Sequence, residues 1–292
     1  MGCEPRSLFT VRGDVWHWEQ AGGLTTEGRG QPLAKLDELV DRFRAEPTGE
    51  HDLPFWGGAI GWFSYDLGRQ FETFGGTASE DLPVPDIRLA WHDAAIIWDH
   101  QTGRSWLVGV GWDRTPEAAI DELVAWLREP PALPGNSAVP ALATFASDLS
   151  RDDYLTRVSA ARDCIARGEI YQMNLVQRFA GPHRESPAAT YLRLRQLNPA
   201  PFAFFQDAGA LAVLGSSPER FLEVTPAKRI RACPIKGTRP RGRTPEEDAA
   251  RAAELRASEK ERAELLMIVD LMRNDLGRLC EFGSVQVTRL HA

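Results

Sequence analysis

Apolar positions along the chain alternate between two periods. From Pro32 to Arg44 they fall at Leu33, Leu36, Leu39, Val40 and Phe43, the stripe of an amphipathic helix. Ile87 to Trp98 and Ser105 to Trp112 are β-rich runs on either side of Asp99-His100-Gln101-Thr102-Gly103, which reads as a hairpin. Thr115-Pro116 then opens a helix that ends near Arg128, with Thr as N-cap and Pro in the first turn. Ser150 and Asp153 form a weak capping box for a helix carrying Tyr154, Leu155, Val158, Ala161 and Ile165 on one side. Short strands are expected around Ile170–Phe179, Phe202–Gln206, Leu211–Gly215, Arg220–Val224 and Arg229–Ala232. Thr244–Glu247 and Ser258–Glu261 are two full capping boxes, the second opening a helix to about Leu276. Ser284–Leu290 alternates as a strand should. The clearest linker is Pro130 to Ser137, which separates a region 1–140 from a region 141–292.

Composition sharpens that division. The chain has 292 residues and a net charge of −7. Residues 1–140 carry a net −11 and residues 141–292 a net +4, so the second region is the better host for an anionic ligand. All nine tryptophans lie at or before Trp126. Four cysteines stand far apart with no C-x-x-C, which argues against a zinc ribbon and a dense disulfide framework. No apolar run approaches the roughly 20 residues that span a bilayer, and no secretory leader is present. Met1-Gly2-Cys3 lacks the Ser or Thr that myristoylation wants at position 6, where Arg6 stands. The expectation is a cytoplasmic protein without a membrane partner.

Three constellations could carry chemistry. Glu219, in Ser216-Ser217-Pro218-Glu219-Arg220-Phe221, follows a strand; a carboxylate held partly dry in such a turn suits general acid/base work. The plainer alternative is a surface pair with Arg220 or a neighbour. Lys236 stands between Ile235 and Gly237 in a protein with only four lysines, and an amine, unlike a guanidinium, can become a nucleophile. Its plainer alternative is a solvated basic hairpin end. Thr225 to Thr244 holds seven basic residues and no acidic one, but no aromatic side chain for base stacking, which argues against nucleic acid. Glu261 and Glu264 are three apart on a helix, one turn from each other on one face, and could share a hard cation such as Mg²⁺. Glu261 is equally explained by its capping box with Ser258. There is no phosphate-binding P-loop, no dinucleotide fingerprint and no nucleophile elbow.

Taken in order, Gly168-Glu169-Ile170-Tyr171-Gln172-Met173-Asn174-Leu175, the Ser216–Phe221 segment, Pro234-Ile235-Lys236-Gly237-Thr238-Arg239-Pro240-Arg241-Gly242 and Glu261–Arg278 (ERAELLMIVDLMRNDLGR) closely resemble the chorismate-utilising enzymes. Pro54–Gly58 through Phe63–Gly68 resembles the N-terminal region of the amino-transferring members. Lys236 discriminates within the family: members that make 4-amino-4-deoxychorismate carry Pro-Ile-Lys-Gly-Thr, whereas anthranilate-forming members typically have Ala there. The resemblance implies an α+β fold of antiparallel sheets packed face to face with helices outside, intertwined into one domain. It implies chorismate as substrate and ammonia from a separate glutamine amidotransferase subunit. Lys236 would be the nucleophile and Glu219 the general acid/base. Gly237 and Thr238 would lie against substrate, while Glu264 and Glu261 would serve Mg²⁺.

The family pattern continues past Ser284–Leu290 with H-L-x-S, G-A-P-K and I-R-T segments that this sequence does not contain, and the segment before Ser7 is short. The resemblance therefore implies a fragment of the synthase, with exposed apolar faces, an incomplete metal shell and negligible activity alone. Beside aminodeoxychorismate formation stand two alternatives: anthranilate formation, and an inactive subunit that only binds the amidotransferase. No tryptophan site is carried over.

Overall fold

A computed structural model describes residues 4–44, 53–73, 75, 81–129 and 144–290. The Pro130–Ser137 linker, Cys3 and the Met1-Gly2 start lie outside the described residues. The chain forms two compact units, Met1–Leu133 and Pro134–Ala292.

The first unit opens with the meander β1 (Ser7–Arg12), β2 (Val15–Gln20) and β3 (Thr25–Arg29), followed by α1 (Pro32–Arg42). Next come β4 (Gly58–Phe63), a 3₁₀ turn over Tyr65–Gln70, β5 (Ile87–His92), β6 (Ala94–Trp98), β7 (Ser105–Gly109) and α2 (Pro116–Arg128). Five strands pair antiparallel in the order β3-β2-β1-β5-β4. Alternation in β1 sends Phe9 and Val11 to one face with Trp18, Ile87, Leu89 and Trp91. The expected stripe of α1 covers that face through Leu36 and Leu39, with Phe43 just beyond the helix. Trp18 meets Trp91 edge-on at 5.3 Å and Phe43 meets Trp112 at 4.9 Å. Gly61 is required by contact, since a Cβ there would lie 1.8 Å from the Arg88 carbonyl oxygen.

The run read as one strand from Ile87 to Trp98 breaks at Asp93. The buried Asp93 carboxylate accepts two hydrogen bonds from Arg114, at 2.7 and 3.0 Å, and pairs with Arg6 at 3.7 Å. Those bonds hold the guanidinium of Arg114 firmly charged. Beyond the break, β6 and β7 form the expected hairpin, with Asp99 accepting from Gln101 N and the Thr102 hydroxyl in its turn. α2 packs on that hairpin.

The second unit contains β8 (Ala146–Ser147), α3 (Arg151–Ala166), β9 (Phe179–Ala180), α4 (Pro187–Leu197), β10 (Phe202–Asp207), β11 (Ala212–Ser217), β12 (Glu223–Val224), β13 (Ile230–Arg231), α5 (Pro245–Ala257) and α6 (Glu259–Gly277). Its strands pair antiparallel as three two-stranded ladders, β8–β9, β10–β11 and β12–β13. Thr115, Ser150, Thr244 and Ser258 all cap their helices through side-chain oxygens. α4 went unread in the sequence, although Ser186 caps it and Pro187 opens it; it packs on β10 and β11 with Tyr191 stacked on Phe205 at 5.5 Å. Two expectations fail. Ile170–Phe179 is irregular except at its end, where Phe179 in β9 pairs with β8, and Ser284–Leu290 is irregular. A strand needs a neighbour for its N–H and C=O groups, and no paired strand runs beside residues 170–177 or 284–290 among the described residues.

Candidate functional site

The segment between β13 and α5 has no regular structure, yet it is bolted down along its length. The Asp248 carboxylate in the first turn of α5 accepts from Arg241 at 2.7 Å twice and from Gly242 N at 2.8 Å, which depresses its pKa to about 2. Glu247 accepts from Arg243 N at 2.9 Å. Upstream, Ile235 N donates to Glu219 Oε1 at 3.0 Å, which ties the turn after β11 to the residue before Lys236. Glu219 is exposed rather than held partly dry, and its surface pair with Arg220 is not formed either: Arg220 bonds Glu223 at 2.5 Å and lies over the Phe202 ring. The turn itself is held by Ser217, whose hydroxyl accepts from Glu219 N at 3.3 Å.

Lys236 is half-buried. Together with Ala252, Leu255 and Arg256 of α5 and Glu261, Arg262 and Leu265 of α6, it lines a concavity of about 150 Å³. Gly237 has φ +74°, and a Cβ there would sit 2.7 Å from Glu261 Oε2 and 2.9 Å from Leu255 Cδ1. Both conformation and space require glycine.

Glu261 is the residue whose reading changes most. Ser258 Oγ lies 3.5 Å from Glu261 N, so the first arm of the capping box exists. The second does not, because Ser258 N donates to Leu255 O. The Glu261 carboxylate instead approaches Gly237 and pairs with Arg239 at 3.4 Å. Arg239 reaches Glu254 of α5 at 2.7 Å and its own neighbour's carbonyl, Thr238 O, at 2.9 Å. These carboxylates hold the guanidinium charged.

The fold thus gathers Lys236, Gly237 and Glu261 and tethers Glu219 to the same segment. Thr238 is exposed. Glu264 does not line the concavity and lies 3.8 Å from Lys260. Among the described residues, no three His, Cys, Asp or Glu side chains are grouped to hold a metal. Arg239, Glu254, Arg256 and Arg262 were missed as site residues. The basic run around Lys236 signalled Arg239, but nothing local showed which acids it would meet.

The sequence profile of the chorismate binding enzymes matches residues 4–292. The chain belongs to the chorismate-binding enzyme family. It is 38% identical over 288 residues to aminodeoxychorismate synthase component 1 of Escherichia coli (strain K12), covering 99% of this chain and 61% of that protein. The aminodeoxychorismate synthase component 1 of Bacillus subtilis (strain 168) is 38% identical, with 100% and 62% covered. Anthranilate synthase component 1 of Thermus thermophilus is 39% identical, with 98% and 61% covered. The solved anthranilate synthase component I from Streptococcus pneumoniae TIGR4 superposes with a TM-score of 0.82 at 28% identity, covering 99% of this chain and 63% of that one. The chain therefore has the expected α+β class of helices with antiparallel sheets, and it spans about three fifths of the length of these relatives. No described helix is long and apolar enough to cross a membrane.

Proposed function

We propose that this chain carries the lysine-bearing part of an enzyme that converts chorismate and ammonia to 4-amino-4-deoxychorismate. One observation carries the reading: Lys236 stands in a concavity beside Glu261, with Glu219 fastened to the preceding residue. The Lys236 amine attacks C2 of chorismate while the C4 hydroxyl leaves, taking a proton from Glu219 and departing as water. Ammonia then adds at C4 and expels the lysine. Overall, chorismate and ammonia give the aminated product and water. Arg256 and Arg262 on the concavity wall suit an anionic substrate. Ammonia would come from a glutamine amidotransferase subunit.

Glu261 and Glu264 are hard oxygen donors one helical turn apart on α6, and Mg²⁺ held there would offset a substrate carboxylate. As the chain stands, Glu261 pairs with Arg239 and Glu264 with Lys260, and no third acid joins them among the described residues, so turnover by this chain alone should be very slow.

Identity does not separate the two branches, since the Thermus anthranilate synthase is as similar as the aminodeoxychorismate synthases. Lys236 does favour one of them. Incubating the chain with chorismate, an ammonium salt and Mg²⁺, and identifying products by chromatography and mass spectrometry, tests the assignment. Aminodeoxychorismate formed only at a trace rate, and lost in Lys236→Ala, is expected. Anthranilate, or a product that survives that substitution, would overturn it.

A further inference from the structure

The concavity between the Lys236 segment, α5 and α6 carries positive charge that the fold leaves uncompensated. Lys236, Arg256 and Arg262 line it, and none of the three pairs with an acid among the described residues. Glu261, the one carboxylate on that wall, is matched by Arg239 at 3.4 Å. Ala252, Leu255 and Leu265 complete the lining and add no charged side chain. The other three lysines stand differently. Lys35 is held by Glu38 at 2.8 Å, Lys260 lies 3.8 Å from Glu264, and Lys228 is exposed in the turn between β12 and β13.

An amine can bond covalently to a carbonyl carbon, whereas a guanidinium stays charged and holds an anion beside it. A hollow of about 150 Å³ admits a small carboxylic acid. We infer that Lys236 is an anion-directed modification site: it takes small carbonyl compounds that bear a carboxylate, such as 2-oxo acids, as Schiff bases, while Arg256 and Arg262 hold the carboxylate. The Lys236 nitrogen bonds to the carbonyl carbon, and the carbonyl oxygen leaves as water with both hydrogens of the amine. The inference needs no chorismate and stands apart from the reaction proposed above.

The experiment treats the whole chain with glyoxylate and cyanoborohydride, and in parallel with acetaldehyde as an uncharged probe of similar size. Cyanoborohydride adds hydride to the imine carbon and fixes each adduct as a secondary amine, which peptide mass spectrometry then assigns to its lysine. The ratio of glyoxylate to acetaldehyde rates should be about threefold to tenfold larger at Lys236 than at Lys260 or Lys228. Lys228 is the stricter control, since its neighbour Arg229 gives it basic surroundings on an exposed turn. Raising salt to about 0.5 M should narrow the difference. Arg256→Gln and Arg262→Gln should each lower the Lys236 ratio about twofold and leave its acetaldehyde rate unchanged. Equal ratios at all four lysines would overturn the inference. So would arginine variants that slow both aldehydes alike, because that is lost access rather than lost anion binding. Equal ratios in a chain that still forms Lys236-dependent aminodeoxychorismate sink this inference alone. Selective labelling without such turnover upholds it and removes the catalytic reading.

Discussion

Residues 4–129 and 144–290 are built by opposite means. The first region closes a five-stranded sheet under α1 and buries Phe9, Val11, Trp18, Leu39, Ile87 and Trp91. In the second, Ala161 is the one buried apolar side chain among the described residues, while Tyr171, Val176, Phe221 and Leu279 stand largely in solvent. The candidate chemistry lies in the second. Its side chains are therefore positioned by hydrogen bonds and ion pairs such as Asp248–Arg241 and Arg239–Glu254, rather than by close packing. A packed core resists distortion because its many weak attractions must all be given up at once, whereas a network of partly exposed polar bonds yields one bond at a time.

The largest effect should come from truncating the core of the first region. Phe9→Ala is expected to cost about 3–5 kcal/mol, whereas Leu266→Ala on the half-exposed face of α6 should cost under about 1 kcal/mol. Since every tryptophan lies in the first unit, tryptophan fluorescence during urea unfolding reports that unit, while circular dichroism at 222 nm also sees α3 to α6. The dichroism transition should begin at lower urea. Coincident transitions, or equal costs for the two substitutions, would break the contrast.

Next in size is Asp93→Asn, which leaves Arg6 and Arg114 facing a neutral, partly buried group. It should lower the fluorescence-detected stability by about 2–3 kcal/mol. An unchanged urea midpoint would show that the break between β5 and β6 does not depend on this cluster.

Gly237→Ala should cost about 1–2 kcal/mol locally through its φ of +74° and its clash with Glu261. The fluorescence transition should stay fixed while amide exchange around residues 235–239 accelerates. Protection that stays at the wild-type level would mean the Gly237–Glu261 approach is not required.

The smallest effect concerns acid. Asp248 is held well below its ordinary 3.8, at about 2, so its folded-state pKa lies under the unfolded value. Its contribution is complete above about pH 4 and is lost as pH falls toward about 2. Asp248→Asn should flatten the acid dependence of helicity within that window and leave the neutral-pH signal nearly unchanged. A wild-type acid profile in the variant would remove Asp248 from the account.

Legibility followed the range of the interaction. Thr115, Ser150, Thr244 and Ser258 were readable as helix starts because a cap satisfies an N–H three residues away. Lys236 and Glu261 were readable because their residue types are rare or regularly spaced. The partners of Arg239, 15 and 22 residues downstream, were not, and neither was the tie between Glu219 and Ile235, 16 residues apart. Ser284–Leu290 shows the same limit from the other side: its alternation was legible, but no partner strand lies beside it among the described residues.

The amino-acid order by itself determined where helices begin, which face of β1 and α1 is apolar, and that one lysine stands in a basic, glycine-flanked segment. These depend on neighbours within a few positions. The tertiary structure decided that Glu261 turns from its cap toward Gly237 and Arg239, that Arg220 leaves Glu219 free to hold Ile235, and that one region closes its core while the other stays open. Each of those is a competition between partners distant in the chain, and only the folded arrangement sets which of them is within reach.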